Sequence, residues 1–339
     1  GKFEQAWIHC QISILISPED ARLFYLAGNI KISLGATAEA VLFYERSIFN
    51  DPLNFKTNFN LANTFSLMKK PERAKQHFIK SIVLNPNVAV LYNNLGNLFL
   101  EDGDITTAKS TFLKTVIVTI KSGFLASNLV KLMIQAPDLF SDRWIKFFKN
   151  HKILNGSASD SLLYLSLIWN FLENEISECA AKQKLLCRLL AENKLKFFSK
   201  QDQVFANVYN KFIASLLRHP TALTTDQYKP LFHIGESHCL SFAHHKISVS
   251  GQNYTVVPRI VFGAKAWHFA QPNCNKYKSL LEHQVKILPK ETIVFLSFGE
   301  IDCRKNEGLA KQLKDNGSEA SKIITSLALG YLTFVDKIF

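Results

Sequence analysis

Residues 55–88, FKTNFNLANTFSLMKKPERAKQHFIKSIVLNPNV, carry the pattern that decides the fold of the N-terminal third of the chain. The stretch contains a small residue, then alanine and an aromatic residue four positions apart, then a proline. The same residue types recur 34 positions earlier and 34 positions later. The recurring sets are Pro18, Pro52 and Pro86; Gly28, Ala62 and Gly96; Ala40, Ala74 and Ala108; and Tyr44, Phe78 and Phe112. A fixed period of this length indicates stacked helix pairs.

Each recurring position has a physical role in such a pair. Small residues such as Gly28 and Ala40 let two helices cross closely. Tyr44 follows Ala40 by four residues, so it lies on the same helical face and fills the space toward the next pair. Pro52 ends the second helix, because proline lacks the backbone N–H and clashes with the preceding turn.

This pattern resembles the tetratricopeptide repeat (TPR). Three repeats are predicted, at Ala21–Asn54, Phe55–Val88 and Ala89–Ser122, although Ile120 replaces the closing proline of the third. Cys10 stands at the aromatic position of an earlier second helix, so we interpret the sequence as a fragment that opens inside a repeat. The resemblance implies an α-helical solenoid whose groove takes a peptide or another protein domain.

The first helix of each predicted repeat carries asparagines on the side that would face this groove. An amide side chain both donates and accepts hydrogen bonds, so a row of amides suits an extended peptide backbone. Asn63 and Asn97 occupy the same position in successive repeats. The alternative, that asparagine is merely tolerated on a polar helix face, stays open. The predicted partner-binding residues are Asn29, Asn60, Asn63, Asn93 and Asn97.

Composition narrows the function classes. The chain has 339 residues, 47% hydrophobic and 20% charged, which is typical of a globular protein with more than one domain. The formal charge of +12 comes from scattered lysines and arginines, and no nucleic-acid-binding motif is present. We therefore interpret the excess charge as a solvated surface and expect no nucleic-acid partner.

The cysteines and the apolar segments indicate in which cellular compartment the protein is expected. Six cysteines lie far apart without a Cys-x-x-Cys pair, which argues against a zinc module or a disulfide framework and fits the cytoplasm. The first residues lack the apolar core of a signal peptide, and no apolar segment is long enough to span a bilayer. We expect a cytoplasmic protein without a membrane span.

Three regions are predicted: TPR repeats at 1–122, a helical spacer or degenerate repeats at 123–225, and an α/β domain at 226–339. In the last region strand and helix patterns alternate, which predicts a parallel sheet flanked by helices. Pro258 suggests that the second strand starts late or lies at an edge. The predicted strands are Leu231–Ile234, Tyr254–Phe262 and the buried Thr292–Phe298, and the predicted helices are Lys276–Leu288 and Ser318–Ile338.

A glycine-containing turn follows each predicted strand. The turns are Gly235–Ser237, Gly263–Lys265 and Gly299–Asp302. Because the carboxyl ends of parallel strands meet at one edge of a sheet, the turns should converge on one crevice, the usual ligand site of open α/β sheets.

These turns resemble the Gly-Asp-Ser, Gly and Gly-x-Asn-Asp blocks of the SGNH (GDSL-like) hydrolases, over about residues 231–339. The resemblance implies an SGNH or flavodoxin-like domain whose catalytic residues are Ser237, Gly263, Glu300 and Asp302. Two departures weaken it. Ile301 replaces the asparagine that helps to bind the oxyanion, and no Asp-x-x-His block supplies the base. We interpret the domain as truncated before that block.

Two functions therefore remain open. One is serine-dependent hydrolysis or transfer of an acyl group, on an acylated small molecule or glycan, which needs a base for the serine and amide donors for the oxyanion. The other is a non-catalytic interaction scaffold whose SGNH-like domain only binds. We expect no cofactor and no metal, because the group His233, His238, Cys239, His244 and His245 lacks the spacing of a zinc site.

Overall fold

The computed structural model describes residues 1–119, 127–149, 157–195, 200–218, 228–299, 314 and 320–339. Its contacts divide the chain into two compact units. The first comprises Gly1–Phe99 and Thr106–Lys121, and the second comprises Leu100–Ile105 and Ser122–Phe339.

The first unit is built from antiparallel helix pairs. Its helices are α1 (Lys2–Ile16), α2 (Ala21–Ser33), α3 (Thr37–Asn50), α4 (Phe55–Leu67), α5 (Pro71–Leu84), α6 (Ala89–Glu101) and α7 (Ile105–Thr119). Helices α1, α3 and α5 each end two residues before Pro18, Pro52 or Pro86, as the repeat pattern predicts. The next helices begin at capping side chains, because Asp20 accepts from the Arg22 amide at 2.9 Å and Asn54 from the Lys56 amide at 3.1 Å.

Close contacts explain the small residues of the period. A Cβ atom added at Gly28 would lie 2.4 Å from the ring of Tyr44, and one added at Gly96 would lie 2.6 Å from the ring of Phe112. Ala62 and Phe78 are buried at the corresponding places of the middle pair. The aromatic ring of the second helix thus occupies the space that the small residue of the first helix leaves open.

Successive repeats share one hydrogen bond that was not predicted. The Ser47 hydroxyl donates to the Ala21 carbonyl at 2.8 Å, and the Ser81 hydroxyl donates to the Phe55 carbonyl at 2.7 Å. Each bond ties the end of a second helix to the start of its first helix. A hydrogen bond of this kind contributes about 1 kcal/mol to stability.

The second unit begins with helices and continues into a small sheet. Its described helices are α8 (Ser127–Gln135), α9 (Asp142–Lys149), α10 (Ser157–Leu172), α11 (Ile176–Ala191), α12 (Lys200–Leu216), α13 (Ala266–Ala270), α14 (Lys276–Lys286) and α15 (Ala320–Ile338). Asp202 of α12 is buried and accepts from Lys131 at 3.0 Å and from Tyr164 at 2.8 Å. This buried charge is therefore paired, and it holds α8, α10 and α12 together.

The sheet contains β1 (Lys229–Gly235), β2 (Lys246–Val249), β3 (Gln252–Ile260) and β4 (Val294–Ser297) in the order β2-β3-β1-β4. Strand β1 pairs in parallel with both β3 and β4, which agrees with the predicted direction of these strands. The unpredicted β2 runs antiparallel to β3, so the sheet is mixed and not all-parallel. Ser250 and Gly251 join β2 to β3 with φ angles of 50° and 79°, the left-handed conformation of a tight hairpin turn.

Two details of the strand predictions are wrong. Strand β3 lies inside the sheet and contains Pro258, which is tolerated because β2 pairs only with Gln252–Thr255 and ends before the proline. Strand β4 is not fully buried, since Phe295 is 45% exposed. In the described sheet β4 is an edge strand, and its pattern of apolar residues alone did not reveal this.

None of the described helices combines the length and the apolar character needed to cross a membrane.

Candidate functional site

The predicted asparagines of the repeats form hydrogen-bonded pairs between neighbouring first helices. Asn60 of α4 donates through Nδ2 to Oδ1 of Asn29 on α2 at 2.7 Å. Oδ1 of Asn29 also accepts from the Tyr44 hydroxyl at 2.7 Å. Burial raises the pKa of Tyr44 to about 12, so this hydroxyl keeps its proton and acts as a donor near neutral pH.

The same arrangement recurs one repeat later. Asn94 of α6 donates through Nδ2 to Oδ1 of Asn63 on α4 at 3.0 Å. Asn94 occupies the position of Asn60 in the following repeat, a signal that was available in the sequence but was missed. Asn93, which was predicted to face the groove, is buried at 8% exposure, while Asn97 is half-buried.

The pair Asn29–Asn60 leaves one amide N–H group and one amide oxygen unused, whereas in the second pair Oδ1 of Asn94 already accepts from Nδ2 of Asn93 at 3.4 Å. Among the contacts of the described residues, none involves Nδ2 of Asn29 or of Asn63, and none involves Oδ1 of Asn60. These side chains are half-buried and not enclosed. The pair Asn29–Asn60 therefore offers one N–H group and one C=O group, the two kinds of group that hydrogen-bond to a peptide backbone.

The second candidate site lies at the carboxyl ends of the parallel strands. Gly235, the last residue of β1, stands in register with Ile260 of β3 and Ser297 of β4. Ser237 follows after one intervening residue and opens a 3-10 helix, Ser237–Phe242. Gly263 lies in the turn after β3 at φ 70°, a conformation that favours glycine. Ser237 and Gly263 thus lie in turns at the same edge of the sheet.

The two histidines near Ser237 in the sequence, His233 and His238, bond to other side chains. Nδ1 of His238 lies 3.0 Å from a carboxylate oxygen of the buried Glu236, and Nε2 of His233 lies 2.8 Å from the Ser297 hydroxyl. Burial lowers the pKa of His233. No hydrogen bond in the described part of the chain joins either ring to Ser237.

The remaining predicted catalytic residues, Glu300 and Asp302, lie outside the described residues, as does Ile301. Their relation to Ser237 stays a prediction.

Comparison with protein families identifies the repeats. The family model described as Tetratricopeptide repeat matches residues 55–88. A comparison with curated proteins found no match. The family match and the recurring helix pairs agree, so the N-terminal half carries tetratricopeptide-type protein-interaction repeats.

Several solved structures are similar at low sequence identity. PilF of Pseudomonas aeruginosa is 17% identical, with a TM-score of 0.46 over 63% of this chain and 90% of that one. MamA is 19% identical, with a TM-score of 0.38 over 44% of this chain and 80% of that one. The first TPR domain of Spaghetti (RPAP3), bound to an HSP90 peptide, is 23% identical, with a TM-score of 0.31 over 33% of this chain and 90% of that one.

Proposed function

We propose that the repeats of this chain are an interaction scaffold that holds an extended peptide segment of a partner protein. The observation that carries the proposal is the recurrence of one amide arrangement in successive repeats, in the pairs Asn29–Asn60 and Asn63–Asn94. Each pair is fixed by its own hydrogen bond, so little side-chain entropy is lost when a partner binds.

The asparagine pairs would hydrogen-bond to the backbone of the peptide. The unused Nδ2 of Asn29 can donate to a peptide carbonyl, and the unused Oδ1 of Asn60 can accept from a peptide N–H. Backbone contacts do not depend on the partner's side chains. We therefore expect the scaffold to tolerate varied sequences in the segment that crosses the pairs, with specificity supplied by contacts elsewhere.

The experiment separates the folding role of the asparagines from their binding role. Asn29→Asp and Asn63→Asp keep the oxygen that accepts from Asn60 or Asn94 but remove the Nδ2 donor. A random peptide library selected on the full chain supplies the probe, and fluorescence anisotropy of the best peptide measures its affinity. Loss of two backbone hydrogen bonds, at about 1 kcal/mol each, should weaken binding by the double variant roughly thirtyfold.

The matched control is Asn87→Asp, which makes the same chemical change at an exposed loop position. It should leave the affinity unchanged. Equal binding by the wild-type chain and the double variant, or failure of the selection to yield any peptide, would rule out the asparagine pairs as the binding site.

A second candidate function is serine-dependent acyl hydrolysis or transfer at Ser237, on an acylated small molecule or glycan. Its support is the position of Ser237 just after the central parallel strand, beside the turn that contains Gly263. Open α/β sheets place their ligands at this edge. In this proposal the Ser237 hydroxyl is the nucleophile, and the amides of Ser237 and Gly263 are the oxyanion donors.

Labelling with a fluorophosphonate probe tests this second candidate. The full chain should be labelled, and Ser237→Ala should lose all of the label, because the probe bonds to an activated serine hydroxyl. Ser241→Ala, four residues along the same 3-10 helix, is the matched control and should keep the label. A folded wild-type chain that takes no label would exclude the nucleophile.

A further inference from the structure

Four exposed apolar side chains occupy the same position of successive repeats. They are Leu15, Phe49, Val83 and Ile117, each separated from the next by 34 residues, and we call them the apolar row. They lie in the last turns of α1, α3, α5 and α7 and are between 67% and 82% exposed. The asparagine pairs lie on the first helices and Ser237 lies in the second unit, so neither proposed function uses the apolar row.

The apolar row differs from the other recurring apolar positions. Ala40 and Tyr44 also recur every 34 residues, but they are buried, because they form the contacts of the helix pairs. A single exposed apolar residue needs no explanation. Here one exposed position is apolar in four helices, and at this exposure packing among the described residues does not account for it.

A second row, of basic side chains, runs beside the apolar row. The position three residues earlier lies one turn away on the same side of the helix. It holds Arg46, Lys80 and Lys114 in α3, α5 and α7, all exposed, and we call these the basic row. In α1 this position holds Ile12. The position four residues before the apolar row holds a single charged residue, Glu45, so this strip of the surface keeps a net positive charge.

We propose that the two rows bind the surface of a membrane that contains anionic lipids. The protruding apolar side chains enter the boundary between headgroups and acyl chains. The basic side chains reach the lipid phosphates, because their long stems keep the charges at the level of the headgroups. On α3 the two kinds of group are adjacent, since the Arg46 guanidinium lies 5.1 Å from the centroid of the Phe49 ring.

Both the charge and the form of the strip favour lipid over a protein partner. Positive side chains beside apolar ones complement a negatively charged surface. The apolar side chains protrude singly, one from each second helix. A protein would need a complementary pocket for each of them at the spacing of the repeats. A fluid bilayer accommodates protruding side chains at any spacing.

Vesicle co-sedimentation of the full chain tests the proposal. Vesicles of phosphatidylcholine alone are compared with vesicles of an equimolar mixture of phosphatidylcholine and phosphatidylserine. The wild-type chain should bind the mixed vesicles. It should bind the neutral vesicles roughly a hundredfold more weakly, because each of the three basic side chains adds affinity only for an anionic surface.

Variants of the apolar row locate the contact. Phe49→Ser combined with Val83→Ser should weaken binding to the mixed vesicles roughly tenfold. The matched control is Leu26→Ser combined with Leu67→Ser, which makes the same kind of change at exposed positions of the first helices α2 and α4. This control should bind as tightly as the wild-type chain.

Variants of the basic row test the charge. Arg46→Gln, Lys80→Gln and Lys114→Gln together should remove the preference for the anionic vesicles. The control removes as many charges from exposed positions outside the row, through Lys2→Gln, Lys56→Gln and Lys69→Gln, and should keep most of the preference. Circular dichroism checks that each variant is folded.

Three results would overturn the proposal. They are absence of binding to the mixed vesicles, equal binding to the two kinds of vesicle, and equal effects of the row variants and their controls. If the wild-type chain binds no vesicles and forms a dimer that Phe49→Ser with Val83→Ser disrupts, the rows are a contact between two copies of the chain and the proposal is wrong.

Discussion

The two units differ in the kind of atom that packs against a buried glycine, which is a side chain alone in the repeats and a side chain together with backbone in the sheet. In the repeats, the space above Gly28 is taken by the Tyr44 ring, a side chain only 16 positions along the chain. In the sheet, the space above Gly235 is taken by both the hydroxyl and the backbone carbonyl of Ser297, 62 positions away. A side chain can be exchanged by mutation, whereas a backbone atom cannot. The repeats should therefore tolerate compensated changes that the sheet does not.

The largest loss of stability is expected from a substitution at Gly235. Its added Cβ in Gly235→Ala would lie 2.2 Å from the hydroxyl oxygen of Ser297 and 2.8 Å from its carbonyl oxygen. We expect a loss of about 3 kcal/mol, measured by hydrogen exchange of the amides of β1, which reports local opening. Adding Ser297→Ala should recover little, because the carbonyl remains.

The control for that change is Gly251→Ala in the hairpin turn. Nothing lies within 4 Å of its added Cβ, but its φ of 79° disfavours alanine. The cost should be about 1 kcal/mol. If Gly235→Ala is no more disruptive than Gly251→Ala, the close packing of β1 against β4 is wrong.

Gly28→Ala should have a smaller effect, about 2 kcal/mol, because alanine's higher helix propensity offsets part of the clash. The added Cβ would lie 2.4 Å from the Tyr44 ring. In a Tyr44→Leu background the same change should cost nothing or stabilise α2, as measured by hydrogen exchange at residues 21–33. Simple additivity of Gly28→Ala and Tyr44→Leu would contradict the side-chain contact.

The smallest expected change in stability is the one that acid causes through His77 of α5. Burial, and then the charges of Lys80 and Arg73, lower its pKa from 6.5 to about 4. Between those pH values the unfolded chain binds a proton that the folded chain does not, so stability falls as the pH decreases from about 6.5 toward 4. With allowance for solvent at the partly exposed ring, the loss at pH 5 should be about 1 kcal/mol.

Replacing the titratable ring isolates this effect. His77→Gln should remove that part of the pH dependence, measured by hydrogen exchange of α5 at pH 7 and pH 5 with intrinsic rates corrected. The exposed His9→Gln should leave it unchanged. An identical loss in the wild-type chain and His77→Gln would show that the acid sensitivity arises elsewhere.

The candidate sites were predictable to different degrees. Asn29, Asn60 and Asn63 were predicted to be groove residues from their place on the first helices, but their pairing was not predicted. A bond such as Asn60 to Asn29 joins two repeats, and its atoms meet only when the helices stack at one separation. Ser237 was predicted as a candidate nucleophile from the turn after β1 and stays a prediction. A cavity in the second unit, lined among others by Phe171, Leu216 and Leu240, was missed, because its wall comes from four separate segments.

The sequence by itself determined the helix pairs of the first unit. The contacts of Gly28 with Tyr44 and of Ser47 with Ala21 each fall within a single repeat. The residues of one repeat therefore suffice to specify its own helix pair. It also indicated that β1, β3 and β4 run parallel. Only the tertiary structure decided that β2 joins the sheet, that Phe295 stays exposed, and that the asparagines bond in pairs. The last two features depend on which segments far apart along the chain become neighbours, and local periodicity does not determine that. Strand β2, in contrast, is a local hairpin partner of β3 that was overlooked.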